Sequence, residues 1–120
     1  HRRLLTLHRE LIALRRAVPE LTDPRFAHTS ATAAAASGGA HPLASFRLDR
    51  GAGVLDGGGS VVSVIAAFDR EVTVDVHAPN DRAARILLAT TTELRVAPPN
   101  QPGPVALTLP AWSAAVVRVL

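Results

Sequence analysis

Ser60-Val61-Val62-Ser63-Val64-Ile65-Ala66-Ala67-Phe68-Asp69-Arg70-Glu71-Val72-Thr73-Val74-Asp75-Val76 is the stretch whose reading decides the fold. Its first half is an almost unbroken run of β-branched and apolar residues, the pattern of a strand covered on both faces. Asp69-Arg70 is a short connection. Beyond it Val72, Val74 and Val76 point one way and Thr73 and Asp75 the other, the two-residue period of a strand with one wet side. Turn signals bound this hairpin: Asp56-Gly57-Gly58-Gly59 before it and Ala78-Pro79-Asn80-Asp81 after it.

The same period continues outward in both directions. Ser45-Phe46-Arg47-Leu48 alternates, and the pattern predicts Phe46 and Leu48 on the dry face with Arg47 and Asp49 on the wet one. Ile86-Leu87-Leu88-Ala89 is a further short strand, Val105-Ala106-Leu107-Thr108-Leu109 alternates, and residues 113–120 close the chain as a last strand. The proline-rich segment 98–104 fits only an exposed loop. Alanine favours helix in residues 29–36, but the interspersed threonines and the following Gly38-Gly39 favour a weak edge strand and hairpin. The expectation is a mainly β chain, an antiparallel β-sandwich of six to seven strands, preceded by one amphipathic helix.

That helix is read over residues 2–18. Leu4, Leu7, Leu11, Leu14 and Val18 recur at spacings of three and four and form one stripe. Leu5 and Ile12 lie on a second stripe. Arg15 and Arg16 suit the negative end of the helix dipole, and Pro19 discourages helix at Val18. Seven large apolar side chains on one helix are worth on the order of 10 kcal/mol when buried. One stripe can rest on the sheet, and the other has no partner helix here. The helix is therefore expected to be cut from a larger helical layer.

Composition narrows the function classes. With 120 residues there is room for one domain. There is no cysteine, which excludes disulfides and thiolate zinc sites. No apolar run is long enough to span a membrane, and no signal-peptide pattern opens the chain. The chain lacks methionine and starts at His1, so a segment of a longer protein is expected. Every basic residue is Arg, yet the net charge is only +3. Phe26, Phe46, Phe68 and Trp112 are its few aromatic residues, too few for a nucleic-acid platform beside Arg2-Arg3 or Arg15-Arg16. No nucleic-acid partner is expected.

Arg9-Glu10-Leu11-Ile12-Ala13-Leu14-Arg15-Arg16-Ala17-Val18-Pro19-Glu20-Leu21 resembles the last barrel helix of α-amylase-clan glycoside hydrolases. The following Thr22-Asp23-Pro24-Arg25 is similar to the malto-oligosyltrehalose trehalohydrolase family of that clan, as are Ile86-Leu87-Leu88-Ala89-Thr90 and Leu109-Pro110-Ala111-Trp112-Ser113-Ala114-Ala115-Val116-Val117. His8 stands where an aromatic is usual, and Val18 where a His often precedes the proline. The resemblance implies that residues 1–25 are the last helix of a (β/α)8 barrel with its exit turn. Residues 26–120 would then be a C-terminal all-β domain. It implies a cytoplasmic parent enzyme acting on maltooligosyl-trehalose. It also implies a missing N-terminal barrel against which Leu4, Leu5, Leu7, Leu11, Ile12, Leu14 and Val18 pack.

The chain itself carries no convincing catalytic set. Ser45-Phe46-Arg47-Leu48-Asp49 superficially resembles the clan's nucleophile motif, but it follows the helix where the motif should precede it. Glycosidase chemistry needs two carboxylates flanking one bond. The later glutamates, Glu71 at a hairpin and Glu93 in a polar stretch, do not supply the second. His1, His8, His28, His41 and His77 show no metal-ligand spacing, and Ser113 lacks a nucleophile elbow. Gly57-Gly58-Gly59 precedes a strand and is a turn, not a phosphate cradle. No catalytic residue, cofactor or metal is expected, and the segment alone is expected to be inactive. Trp112, beside Pro110 at a strand start, reads as a lid over the core, with sugar stacking as its other use. A stand-alone carbohydrate-binding or protein-interaction module is the alternative to the hydrolase reading.

Overall fold

Arg2–Ala17 forms a single helix, α1, and a 3-10 turn over Pro19–Leu21 follows it. Val18, between them, is extended (φ −108°, ψ 107°), as a residue before proline prefers. The computed structural model describes residues 2–22, 29–35, 38, 41–51, 61–76, 84–97 and 105–119. The turns expected at 56–59 and 78–81, the loop at 98–104, and His1, His28 and His77 lie outside the described residues.

Eight strands are present among the described residues: β1 (Thr29–Ala35), β2 (Leu43–Arg50), β3 (Val61–Ala67), β4 (Val72–Val76), β5 (Ala84–Ala89), β6 (Arg95–Ala97), β7 (Val105–Leu109) and β8 (Ala114–Val119). The chain is mainly β, and the alanine-rich segment is the edge strand expected of it. The short β6 has no counterpart in the sequence pattern, because three residues are too few to show a period. A five-stranded sheet runs β1-β2-β3-β8-β5 and a three-stranded sheet runs β4-β7-β6, with every pairing antiparallel.

The two sheets enclose the larger core. Ile65 and Ala67 of β3 and Ala115, Val117 and Val119 of β8 meet Val76, Leu107 and Leu109 of the smaller sheet. The alternate residues of the same two strands form a second, smaller core on the opposite face. There Val62 and Val116 pack on Val18, with Leu14, Leu21, Val64, Leu87 and Leu88 around them. The central strands are thus apolar on both faces, as the 60–68 run requires.

A β-bulge serves the second core. The β5–β8 register shifts between Ile86 and Leu88. A strand without the extra residue would send Leu87 and Leu88 to opposite faces; here both pack with the helix-side cluster. Arg118, on the same face, donates from Nη2 to Glu20 Oε1 at 3.0 Å and ties the 3-10 turn to β8.

Strand β2 corrects the expected facing. Its partners place Ser45, Arg47 and Asp49 beside Ala67, Ile65 and Ser63, on the face toward the smaller sheet. Arg47 and Asp49 are half-buried there, whereas Phe46, on the opposite face, is exposed. Near the edge of the sandwich the inter-sheet space is polar, so β2 inverts the usual dry and wet sides.

Leu107 has 2% of its surface exposed, in the centre of the inter-sheet core. Leu107→Ala is expected to cost about 2–5 kcal/mol in urea unfolding. Leu5→Ala, on the half-exposed helix face, is expected to stay within about 0.5 kcal/mol of the parent chain.

Candidate functional site

Three groups of side chains merit attention: the outer face of α1, the Arg47–Asp49 pair, and an aromatic corner around Trp112.

None of the α1 residues is buried. Leu4, Leu5, Leu11 and Ile12 are 56%, 52%, 41% and 53% exposed. Leu4 with Leu11 and Leu5 with Ile12 each recur two turns apart, so the four form two neighbouring apolar rows flanking the exposed His8. The anchoring of the helix is concentrated at its C-terminal end, where Leu14 packs on the second core and Val18, just beyond the helix, is buried. Leu7 is half-buried. Val18 and Leu14 are therefore engaged by the chain's own sheet, and the uncovered face consists of the other four. The rest of α1 stands off β5. A cleft of about 530 Å³ separates Leu4 and Leu7 from Ala89 and Thr90, and another of about 360 Å³ separates Ala13 and Ala17 from Leu87 and Leu88. Arg2 and Arg3 sit at the helix's positive end, where the dipole disfavours cations.

The motif-like Arg47 and Asp49 form a closed structural unit. Arg47 Nε donates to both Asp49 oxygens, at 2.9 and 3.1 Å. Ser63 Oγ donates to Asp49 Oδ1, and Arg47 Nη1 donates to the Asp75 carbonyl at 2.8 Å. Asp49 and Ser63 are direct cross-strand partners. The unit stitches β2 to β3 and, through Asp75, to β4 of the other sheet. Both carboxylate oxygens accept fixed donors, which suits holding strands together rather than attacking a substrate. Ser63 carries no role in the sequence-based expectations, yet a lone polar residue in the otherwise apolar β3 is the feature that could have marked this pair.

At one end of the sandwich, His41, Phe68 and Trp112 meet from three separate segments. The His41 and Phe68 rings stack at 4.2 Å with a 6° interplanar angle. Trp112 stands at right angles to both, 6.1 Å from His41 and 6.5 Å from Phe68 between centroids. Asp69 ties down the His41 backbone: its Oδ2 accepts the His41 amide at 3.1 Å, and its Oδ1 accepts Arg70 Nε at 3.3 Å. Arg70 Nη2 also donates to the Gly38 carbonyl. Leu43 N donates to His41 Nδ1 at 3.1 Å, fixing the ring.

Trp112 is 68% exposed and so is not the lid over the core expected from its place beside Pro110. Its φ is 58°, the only positive value for a non-glycine among the described residues. The turn is clamped in that shape: Trp112 N donates to Phe68 O at 2.6 Å, Ser113 Oγ donates to Pro110 O at 2.6 Å, and Ala67 N donates to Ser113 O at 2.8 Å. Ser113 is thus a turn clamp. No spacing in the sequence marks this corner, because its members are brought together only by the strand ends.

Among the described residues no group of three His, Cys, Asp or Glu side chains is arranged to hold a metal ion. His8 Nδ1–H donates within its own helix to Leu4 O at 2.9 Å. Glu71 pairs with Arg95 at 3.2 Å across the smaller sheet, far from any acid–base role with Asp49 in the hydrogen-bond pattern. No helix is long and apolar enough to cross a membrane among the described residues.

Comparison with protein-family models, with curated proteins and with solved structures finds no match.

Two measurements follow from these geometries. The 120-residue chain is expected to self-associate with rising concentration in sedimentation velocity, and Leu5→Glu combined with Ile12→Glu is expected to return it to monomer with an unchanged circular dichroism spectrum. At position 112 both Gly and Ala remove the ring, but only Gly accepts a left-handed backbone without strain. Trp112→Gly is therefore expected to be more stable than Trp112→Ala by about 1 kcal/mol in denaturant unfolding.

Proposed function

We propose that this chain is the C-terminal portion of a glycoside hydrolase of the α-amylase clan, of the kind of the malto-oligosyltrehalose trehalohydrolases it resembles, and that it serves the enzyme structurally. The observation that carries the reading is the uncovered apolar strip of α1, made of Leu4, Leu5, Leu11 and Ile12. Each would contribute about 1.5–3 kcal/mol on full burial, and about half of each surface is still in water. Roughly 3–6 kcal/mol is thus available to a partner that covers the strip. A neighbouring helix of a catalytic barrel is the partner proposed, because α1 reads like the last helix of such a ring.

In this reading the β-sandwich holds the C-terminal end of α1 through Leu14 and Val18 while the barrel covers its outer strip. The helix is shared between two packing units and fixes one against the other. Catalysis, release of trehalose from maltooligosyl-trehalose, belongs to carboxylates of the barrel. The closed Arg47–Asp49–Ser63 unit supports the absence of chemistry in this portion. A cytoplasmic location accompanies the proposal, since nothing in a cysteine-free chain depends on an oxidising compartment.

The test compares the 120-residue chain with the same chain extended toward its N-terminus by the preceding genomic sequence. The short chain is expected to release no trehalose from maltooligosyl-trehalose, and the extended one to release it. Leu5→Glu with Ile12→Glu is expected to lower the thermal midpoint of the extended protein by several degrees and to leave that of the short chain unchanged at dilutions where the parent short chain is monomeric. Turnover by the short chain that disappears in Asp49→Asn would overturn the reading.

A further inference from the structure

We propose that the corner formed by Trp112, His41 and Phe68, together with the adjoining Asp69–Arg70 pair, binds a sugar ring of a neutral glycan. The proposal does not depend on what covers α1.

Trp112 is the most exposed of the large hydrophobic side chains among the described residues. The other exposed ones lie elsewhere: Leu4, Leu5, Leu11 and Ile12 on α1, Phe46 on β2 and Ile86 on β5. Among the described residues the indole is therefore a flat surface apart from the other exposed large hydrophobics. A macromolecular interface buries a contiguous area with several anchors. One open ring fits a small flat ligand better.

The ring is also held at a cost. A left-handed backbone is unfavourable for a residue with a bulky side chain, and such strain persists where the surroundings enforce it. Here the Phe68 carbonyl and the Ser113 hydroxyl enforce it. The perpendicular His41–Phe68 stack then stands beside the indole and restricts its swing. The result is a pre-oriented platform, which reduces the ordering cost of binding.

The polar groups next to the platform select the ligand class. The Asp69 and Arg70 side chains are 13% and 34% exposed and are joined to each other and to the His41 backbone. A carboxylate accepts and a guanidinium donates, and as a neighbouring pair their charges offset each other. That combination disfavours an ionic ligand. It matches a molecule with one apolar face and a rim of hydroxyls that both donate and accept. A pyranose ring has this character: its C–H face lies on the indole and its hydroxyls meet the rim. With a single platform the affinity is expected to be about millimolar.

The test is a titration of the 120-residue chain with maltoheptaose, cellohexaose and hexa-N-acetylchitohexaose, followed by amide chemical shifts and by the fluorescence of its only tryptophan. The expected result is saturable shifts at the His41, Phe68, Asp69 and Trp112 amides with at least one of the three glycans. Trp112→Gly, which preserves the left-handed turn, is expected to weaken binding at least tenfold, while Trp112→Phe retains part of it. The absence of saturable shifts with all three glycans would overturn the proposal. So would binding that survives Trp112→Gly, shifts confined to α1, or an oligomer in solution that Trp112→Gly dissociates, since the last would make the corner a protein interface.

Discussion

Strands β3 and β8 are apolar on both faces, and every other feature of the architecture answers that constraint. Ile65, Ala67, Val117 and Val119 point to one side, and Val62, Val64 and Val116 to the other. A sheet whose central strands are greasy on both sides needs a layer above and a layer below. The three-stranded sheet supplies one. The end of α1 and its 3-10 turn supply the other, aided by the bulge that turns both Leu87 and Leu88 toward them. At the margins the demand fades. Between β2 and β3, Arg47 and Asp49 of the one and Ser63 of the other replace apolar packing with a closed set of charge-assisted hydrogen bonds that still reaches across to β4.

The helix layer is unequal to the helix itself. Among the described residues its packing is concentrated at the C-terminal end, so Leu4, Leu5, Leu11 and Ile12 stay exposed and clefts remain beneath its body. The smaller sheet, by contrast, is matched to the core it covers, with Val105, Leu107 and Leu109 buried at alternate positions of β7. The mismatch on the helix side leaves apolar side chains of α1 uncovered. The proposal of a barrel partner builds on that physical asymmetry together with the resemblance of α1. The Trp112 corner is built from the segments at one end of the sandwich, and its chemistry is of a different kind.

Much of the fold was legible in the sequence. The three- and four-residue spacing of Leu4 to Val18 and the following Pro19 predict a helix over 2–18, and the helix ends at Ala17. The 60–68 run, the alternation at 72–76 and that at 105–109 appear as β3, β4 and β7. The two-directional apolar character of α1 was equally readable, and Leu5 and Ile12 indeed stand in solvent. Val18 belongs to a different account. Its spacing placed it in the same set as Leu4, but the extended backbone imposed by Pro19 carries it into the sheet-side core.

What the amino-acid sequence determined by itself was local: the kind of each long element, its approximate ends, and the existence of two faces on each strand. Those follow from side-chain period and from proline and glycine, which act within a few residues. Only the tertiary structure decided which face met which layer. The parity of the β2–β3 register turned Arg47 and Asp49 inward and Phe46 outward. One extra residue in β5 put adjacent leucines on one side. The clamp from Phe68 and Ser113 set Trp112 in the open beside His41. Each of these depends on contacts between segments distant in the chain, and no local period records such contacts.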